Sequence, residues 1–474
     1  MTPQDLAAAL RPKHRPPLDP GFVPPALWLR AYRQAIKDRE RDLLLAIEQP
    51  GHAYSVVESL QSYVRAEPTE HDTCDLYKAE RMLKFALWAK GGSKVFLHAP
   101  DAMIEALQKL YAPQGARAFD AEFMGERVYL EEFAIESCDL MEVPALNLPQ
   151  LTLGSHLDGC RIGFDLGGSD RKAAAVRDGE VVFSEEIPWN PYFQSDPAYH
   201  YEGIMDSLRR AAEHLPRVDA IGGSAAGVYV GNEPRVGSLF RGVAEADFAD
   251  QVRPLFRRIG EEWGVPLTVV NDGDVTALAA AQMLGRRRRG GVLGLAFGTS
   301  LAAGYVAPEG YLTPWLNELA FVPVDYRTAD EGGHMDEWSG DAGTGVRYLS
   351  QQALAQLAAP AGFDFGGMPL PEQLVAVQNA MAEGDPCARQ IYESYGVYLG
   401  YTLEHLRHSY DFAHVLILGR VTSGPGGEIM LQKAKQVLAE EFPMTLTDLD
   451  FIVPDETFKR HGQSIAAASL PVLA

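Results

Sequence analysis

Two segments of the chain repeat one layout: an apolar strand pattern, a corner of glycine and hydroxyl residues, and a second strand pattern. The first covers residues 160–188 and turns at residues 167–169, and the second covers residues 291–307 and turns at residues 298–300. Glycine corners let backbone N–H groups approach an anion closely, because no side chain intervenes and positive φ costs little at glycine. An ordinary tight hairpin is the alternative for either corner alone. If the two corners face each other across a cleft, they clamp a polyphosphate from both sides.

Two acidic residues are predicted to lie near the anion site and the ligand crevice. Asp165 comes two residues before the first corner, where its carboxylate is placed to hold a metal ion on the anion. Asp272 follows the buried-strand pattern of residues 266–270 and precedes the helical pattern of residues 275–284. Loops at the carboxyl ends of strands form the ligand crevice of an open α/β sheet, so Asp272 is predicted to lie where chemistry is usually carried out. A third glycine turn, at residues 419–424, precedes a helix and suits the rest of a nucleotide.

The chain of 474 residues is long enough for two or three domains. Residues 1–25 are rich in proline, which predicts an extended arm. Residues 26–150 predict a separate α+β region, with helices in residues 27–47, 54–64, 76–88 and 101–110, a strand at 94–98 and two short strands within 119–135. A linker is predicted at residues 146–157. Residues 159–290 and 291–474 then predict two lobes, the second ending in a C-terminal helix.

The charge balance and the cysteines limit the classes of partner. The formal net charge of -22 argues against a nucleic-acid surface and against membrane docking. The run of residues 286–289, four arginines between a helix and a strand, has two interpretations: a phosphate or nucleic-acid patch, and, as the favoured one, cations facing a helix C-terminus and water. The four cysteines form no CxxC pair and the N-terminus has no apolar signal core, so a cytoplasmic protein without a structural zinc site is expected.

Five motifs occur in a fixed order along the second part of the chain. They are DLGGS at residues 165–169, NDGD at 271–274, FGTS at 297–300, NELAFVPVD at 317–325 and LILGRV at 416–421. This set resembles the ROK family of bacterial sugar kinases and sugar-responsive repressors, a branch of the actin, Hsp70 and sugar-kinase superfamily. The resemblance implies an α/β, two-lobed actin-like ATPase fold of the ribonuclease H-like kind. It begins at about residue 159 and leaves the N-terminal α+β region unexplained.

The resemblance also implies a role for each matching position. Asp272 is the general base that takes the proton of the acceptor hydroxyl, and Asp165 holds Mg²⁺. The other matches bind the two substrates: Asn271 and Glu318 bind the sugar hydroxyls, the backbone at Gly167, Gly168, Ser169, Gly298, Thr299 and Ser300 holds the phosphates of ATP, and Gly419 and Arg420 contact adenosine. Positioning and charge neutralisation of this kind are sufficient for phosphoryl transfer.

The chain departs from the family pattern around the sugar site. Phe321 stands where the family usually has a histidine, and a second family glutamate is missing near Val346. The cysteine-rich zinc loop is also missing, because residues 325–348 contain no cysteine and one histidine, His334. The same loop is crowded with acids that either bind an unusual substrate or face solvent, of which solvent is the favoured interpretation: Asp330, Glu331, Asp336, Glu337 and Asp341.

The sequence thus leaves two functional hypotheses. The first is an ATP- and Mg²⁺-dependent kinase that acts on a small-molecule sugar or sugar derivative with Asp272 as base, favoured by the retained acids and both corners. The second is a non-catalytic sugar-binding or regulatory protein, favoured by the altered sugar site. Three roles stay open for the N-terminal region: capping the cleft, forming a homodimer and selecting the substrate.

Overall fold

The structure, a computed structural model, describes residues 1–50, 56–65, 73–144, 147, 154–452 and 456–473. The predicted linker, residues 146–157, lies mostly outside these residues. Within the described part of the chain, no helix is long and apolar enough to cross a lipid bilayer.

The N-terminal region forms its own mixed sheet with helices beside it. The strands are ordered β2-β1-β3-β4, and β3 and β4 run parallel while the other pairs run antiparallel. The elements are helices α1 (Pro3–Ala9), α2 (Pro25–Ala35), α3 (Cys74–Lys90), α4 (Asp101–Tyr111) and α5 (Ala118–Glu122), and strands β1 (Glu40–Gln49), β2 (Val56–Arg65), β3 (Lys94–His98) and β4 (Ala134–Ser137).

Three secondary-structure predictions for this region were wrong. The second half of residues 27–47 and the described part of residues 54–64 form β1 and β2 rather than helices. In β1 the continuous apolar run of residues 43–47 satisfies both the helical and the strand period. Pairing with the neighbouring strands therefore decides that this segment is a strand. Residues 119–135 begin as helix rather than as a strand pair: Phe119 and Phe123, four residues apart, stack with ring centroids 5.8 Å apart, as neighbours on one helix face do.

The next part of the chain builds a sheet ordered β11-β8-β5-β6-β7, called the first sheet below. Strands β5, β8 and β11 are parallel, so their carboxyl ends share one edge. The elements are β5 (Cys160–Leu166), β6 (Asp170–Arg177), β7 (Glu180–Pro188), α6 (Pro197–Ala212), β8 (Ala220–Ala225), β9 (Val228–Val230), β10 (Glu233–Val236), α7 (Glu245–Asp247), α8 (Leu255–Trp263), β11 (Leu267–Asn271) and α9 (Asp272–Leu284).

The remaining chain builds a sheet ordered β13-β12-β16-β17, called the second sheet. Helix α9 packs on its strands β12 and β13 and so connects the two sheets. The elements are β12 (Gly291–Phe297), β13 (Leu301–Val306), β14 (Met335–Asp336), β15 (Asp341–Ala342), α10 (Gln351–Ala358), α11 (Leu370–Ala382), α12 (Pro386–Arg407), β16 (Phe412–Leu418), α13 (Gly424–Glu441), α14 (Pro443–Thr447), β17 (Asp450–Ile452) and α15 (Glu456–Ala468).

The C-terminal helix α15 returns to the first sheet. It packs on β5, β6 and β8 and on helix α9, rather than on the second sheet whose sequence precedes it. Gly163 of β5 and Gly222 of β8 allow this approach, because a Cβ at either position would collide with the backbone carbonyl of Ser464 or Ala467. The sequence predicts this helix as part of the lobe of residues 291–474, whereas the helix packs on the first sheet.

The N-terminal region shares one apolar core with the second sheet and its helices. Trp28 lies 5.4 Å from Tyr326, and Trp88 lies 4.4 Å from Phe321, between ring centroids. The predicted arm contributes as well, although it starts with helix α1 and is extended only afterwards. In its extended part the Leu18 N–H donates to Ser394 Oγ of α12 at 3.1 Å. The arm and the N-terminal region are thus built into the body formed around the second sheet.

Candidate active site

Asp165 lies at the carboxyl edge of the first sheet. The strand register places it beside Ser224 of β8, and Ser224 Oγ donates to Asp165 Oδ1 at 2.7 Å. The Lys172 ammonium is 4.0 Å from the other carboxylate oxygen. Burial raises the pKa of Asp165, because loss of water disfavours the charged form more than these two partners favour it. A cation beside Asp165 would relieve this cost.

Asp272 starts helix α9 at the same edge. The preceding residue, Asn271, caps the helix: its Oδ1 accepts from the Gly273 N–H at 2.7 Å, and its Nδ2 donates to the Gly227 carbonyl at 2.7 Å. Burial, and secondly the charge of Asp165, raises the pKa of Asp272 to about 6. The structure therefore brings Asp165, Asn271 and Asp272 together, and it gives Asp272 the pKa of a base that is ionised at neutral pH but close to titration.

Glu318, in the segment between β13 and β14, lies close to Asp272. Burial, and secondly the charge of Asp272, raises its pKa to about 7, so the two carboxylates lie close enough to interact. The support for Glu318 comes from the end of α3: its N–H donates to the Trp88 carbonyl at 3.0 Å, and the Asn317 N–H donates to the Ala89 carbonyl at 3.0 Å. The sequence did not reveal this support, because it depends on contacts between distant segments.

Asp274 is a further buried acid that the sequence placed in a motif but gave no role. Burial raises its pKa to about 8, so it is mostly protonated at neutral pH. Its Oδ1 accepts from Asn317 Nδ2 at 2.8 Å and from the Tyr305 N–H at 3.4 Å. Asp274 thereby ties the start of α9 to the residue before Glu318.

The first glycine corner stands next to Asp165 with its tip exposed. The Gly167 N–H donates to the Asp170 carbonyl at 3.0 Å, and Trp189 Nε1 donates to the Gly167 carbonyl at 2.7 Å. A Cβ on Gly168 would collide with the Tyr192 hydroxyl. Ser169 at the tip is exposed. Gly168 thus leaves room for Tyr192, and the exposed tip at Ser169 is the part of this corner suited to approach an anion.

The second corner and the third glycine turn adjoin at the carboxyl edge of the second sheet. Strands β12 and β16 are parallel neighbours, and a Cβ on Gly419 would collide with the Phe297 carbonyl, one residue before Gly298. Within the second corner, the Gly298 N–H donates to the Ser300 carbonyl at 2.9 Å, and the hydroxyl residues at its tip are exposed. Arg420 is also exposed beside this turn. The residues predicted for nucleotide binding thus form one exposed surface on this sheet: Gly298, Thr299, Ser300, Gly419 and Arg420.

The acidic loop does not simply face solvent, and for two of its members the favoured interpretation was wrong. Asp336 is buried and accepts from the Ser339 N–H at 2.9 Å. Asp341 is buried in an ion-pair network with three cations of the N-terminal region: Arg81 at 3.0 Å, Lys84 at 3.3 Å and Arg117 at 2.8 Å. Among the residues that the structure describes, no group of three or more His, Cys, Asp or Glu side chains could hold a metal ion.

Comparison with known proteins identifies the fold. No protein-family model matches the sequence. A glucokinase of Halalkalibacterium halodurans is 25% identical over 293 residues, which cover 58% of this chain and 84% of that protein. The crystal structure of a ROK family transcriptional regulator, a homolog of the E. coli MLC protein, superposes with a TM-score of 0.50 and 19% identity, covering 66% of this chain and 78% of the regulator. The crystal structure of a ROK hexokinase from Thermus thermophilus has a TM-score of 0.49 and 17% sequence identity, covering 65% of this chain and 97% of the hexokinase.

The fold is therefore the two-lobed, actin-like α/β fold that the resemblance of the five motifs implied. Within this fold, the chain is similar in sequence to a glucokinase and in structure to a ROK family regulator. The resemblance to ROK family proteins that the five motifs indicated is thereby confirmed.

Proposed function

We propose that this protein is a carbohydrate kinase that transfers the γ-phosphoryl group of ATP to a hydroxyl of a sugar or sugar derivative. The observation that carries the proposal is Asp272, a partly buried carboxylate at the start of α9 that lies close enough to both Asp165 and Glu318 for their charges to interact. The similarity to a glucokinase supports the same class of reaction.

In the proposed reaction, Asp272 accepts the proton of the acceptor hydroxyl as its oxygen attacks the γ-phosphorus and the bond to the bridging oxygen of ADP breaks. A carboxylate with a pKa of about 6 accepts this proton at neutral pH. Glu318 and Asn271 bind the other acceptor hydroxyls; Asn271 Oδ1 and Nδ2 each retain capacity for one further hydrogen bond beyond those in the helix cap.

The residues at the first corner fit Mg²⁺ and the phosphates of ATP. Magnesium is usually held by one or two carboxylates, phosphate oxygens and water, and the raised pKa of Asp165 marks a buried carboxylate that a cation would stabilise. Bound there, Mg²⁺ would neutralise phosphate charge. The exposed backbone at the two corners is suited to hold the phosphates, and Gly419 with Arg420 is suited to hold adenosine. The proposal needs no structural zinc.

A non-catalytic sugar-binding protein is the second candidate. It is favoured by Phe321, which packs against Trp88 and Trp338, at 4.4 and 4.8 Å between ring centroids, where the resemblance leads one to expect a sugar-binding histidine. A ROK transcriptional regulator also shares the fold. The retained Asp165 and Asp272 favour the kinase, since binding alone requires no base.

The deciding experiment measures ADP release with ATP, Mg²⁺ and a panel of sugars, amino sugars and polyols. The wild type is expected to release ADP with at least one acceptor, and Asp272→Asn to lower the rate by about 10²–10⁴-fold while remaining folded. If no acceptor stimulates ADP release and a sugar alone still raises the melting temperature, the binding protein replaces the kinase.

A further inference from the structure

A cavity of about 270 Å³ lies beside the candidate active site. Its walls come from three parts of the chain: the N-terminal region, the loop and edge strand of the first sheet, and the segment that leads to Glu318. The lining residues are Gln49 and Tyr129, residues 227–232, residues 268–271 with Asp274, and residues 312–316.

The cavity adjoins the place of the proposed reaction. Residues 268–271 end directly before Asp272, and residues 312–316 end two residues before Glu318. Tyr229, which also lines the cavity, is close enough for the charge of Asp272 to act on its hydroxyl. An acceptor whose reacting hydroxyl lies at Asp272 therefore has this cavity next to it.

The lining is suited to a neutral polar group. Among the residues that the structure describes, it contains no lysine or arginine, and the one carboxyl group among them, that of Asp274, accepts a hydrogen bond from Asn317. A buried phosphate or carboxylate without a cationic partner is costly, so anionic groups are disfavoured there. Hydroxyl and amide groups alternate with apolar side chains such as Val230 and Trp315, as in sites that bind neutral polar rings. The volume equals that of about nine waters in the liquid, comparable to one pyranose ring.

The N-terminal wall of the cavity is firmly held. Gln49 is buried, and its Nε2 donates to the Lys90 carbonyl at 2.7 Å and to the Pro314 carbonyl at 2.8 Å. The second bond fixes Gln49 to the segment that leads to Glu318. Tyr129 is buried beside Gly91, at which a Cβ would collide with its hydroxyl. Two side chains of the N-terminal region thus form part of the cavity wall.

We propose that this cavity binds the non-reacting part of the acceptor, a neutral group about the size of a second sugar ring, and that the N-terminal region limits the length of the acceptor. This inference rests on the proposed function. The acceptor is accordingly a neutral disaccharide or a monosaccharide with a neutral polar substituent, rather than a sugar acid or a sugar phosphate. Of the three roles left open for the N-terminal region, the proposal gives it the selection of the substrate.

The test compares neutral disaccharides with their component monosaccharides as acceptors. The wild type is expected to show a kcat/KM at least tenfold higher for one or more disaccharides among maltose, cellobiose, lactose and chitobiose. Thr268→Trp, on edge strand β11, fills the cavity and is expected to lower this ratio at least tenfold. Val182→Trp, an exposed position on the opposite edge strand β7, is the matched control and should keep the ratio. If the melting temperature shows that Thr268→Trp is unfolded, Leu316→Trp fills the cavity from the other wall.

The inference is overturned if monosaccharides without a substituent are used at least as well as the disaccharides, or if the filling variant lowers both rates equally. If no acceptor is phosphorylated, the proposed kinase function fails by itself. Calorimetric titration with the same disaccharides, without ATP, then tests whether the cavity binds a sugar. Binding by the wild type that Thr268→Trp abolishes supports the cavity as the binding site, and absence of binding by the wild type refutes it.

Discussion

At the scale of single residues, the proposed chemistry depends on the protonation state of Asp272. Because burial and Asp165 raise its pKa to about 6, a rising fraction of the carboxyl group is protonated below that pH and cannot accept a proton. We expect kcat/KM to fall about tenfold per pH unit below pH 6 and to be level above it, as far as Asp272 is concerned. A pH–rate profile of ADP release measures this. A level rate down to pH 4.5 would exclude Asp272, with its raised pKa, as the base.

Asp274 provides a second prediction, on stability. Its pKa of about 8 in the folded protein lies far above that of an unfolded chain, so the folded state holds a proton between about pH 4 and pH 8 that the unfolded state releases. The free energy of unfolding therefore falls as the pH rises through this window, by at most about 1.4 kcal/mol per pH unit. Asp274→Asn keeps an acceptor oxygen for Asn317 and removes this titration.

Urea unfolding at several pH values tests this prediction. Relative to Asp274→Asn, the wild type is expected to lose stability from pH 5 to pH 8 and to level off above pH 8. The exposed Asp250→Asn is the control and should follow the wild type. Parallel pH curves for the wild type and Asp274→Asn would show that Asp274 is ionised in the folded protein throughout this range.

The residues of the candidate site differ in how far local sequence identifies them. Asp165 and Asp272 were placed correctly at strand ends, because a buried strand followed by a turn or a helix is a local pattern. Their roles stay predictions. The support of Glu318 by the Trp88 carbonyl could not be predicted, since it is a backbone contact between segments far apart in the chain. The protonation of Asp274 likewise follows from burial, which no motif encodes.

At the scale of elements, helix α3 holds the acidic loop through buried ion pairs. Asp341 on β15 contacts Arg81 and Lys84 of α3 and Arg117 before α5, and these cations hold the pKa of Asp341 well below its usual range despite burial. We expect Asp341→Ala to lower the free energy of unfolding by about 3–5 kcal/mol, because it leaves buried cations without their partner. Thermal and urea unfolding measure the loss.

The matched control is Glu337→Ala, an exposed acid in the same loop. It should change stability by less than about 0.5 kcal/mol. Equal effects of the two substitutions would mean that the ion pairs do not organise the loop. Because Asp341 has a folded-state pKa below its usual value, the stability that it contributes is present at neutral pH and is lost as the pH falls below about 4.

The secondary structure was predictable where apolar periodicity was unambiguous and failed where it was not. Helix α4 was expected at residues 101–110 and spans Asp101–Tyr111. Strand β1 was mistaken for a helix because its central residues are apolar at nearly every position, and its partners β2 and β3 decide its conformation. The return of α15 to the first sheet could not be read from its position in the chain; it requires the glycines on β5 and β8 that admit a helix backbone.

At the scale of the whole molecule, the N-terminal region and the second sheet behave as one body. They share a continuous apolar core, and Arg327, which binds Asp325 at 2.6 Å, also binds Asp19 of the arm at 2.7 Å. The N-terminal region also contacts the first-sheet side, where β9 and β10 lie beside residues 123–129. Lobe closure, which would exclude water from the γ-phosphate, would therefore move the first sheet against this combined body.

This organisation predicts that the N-terminal region cannot be removed from the protein. A protease site inserted after Gln150, followed by cleavage, is expected to leave the two pieces associated as one species in size-exclusion chromatography, with the wild-type melting temperature nearly retained. Residues 151–474 produced alone are expected to aggregate, because the apolar faces that contact Trp28, Trp88 and Tyr32 become exposed. Two separate peaks after cleavage, with phosphorylation retained by the larger piece alone, would show instead that the second sheet folds without this region and that the acceptor site is complete without Gln49 and Tyr129.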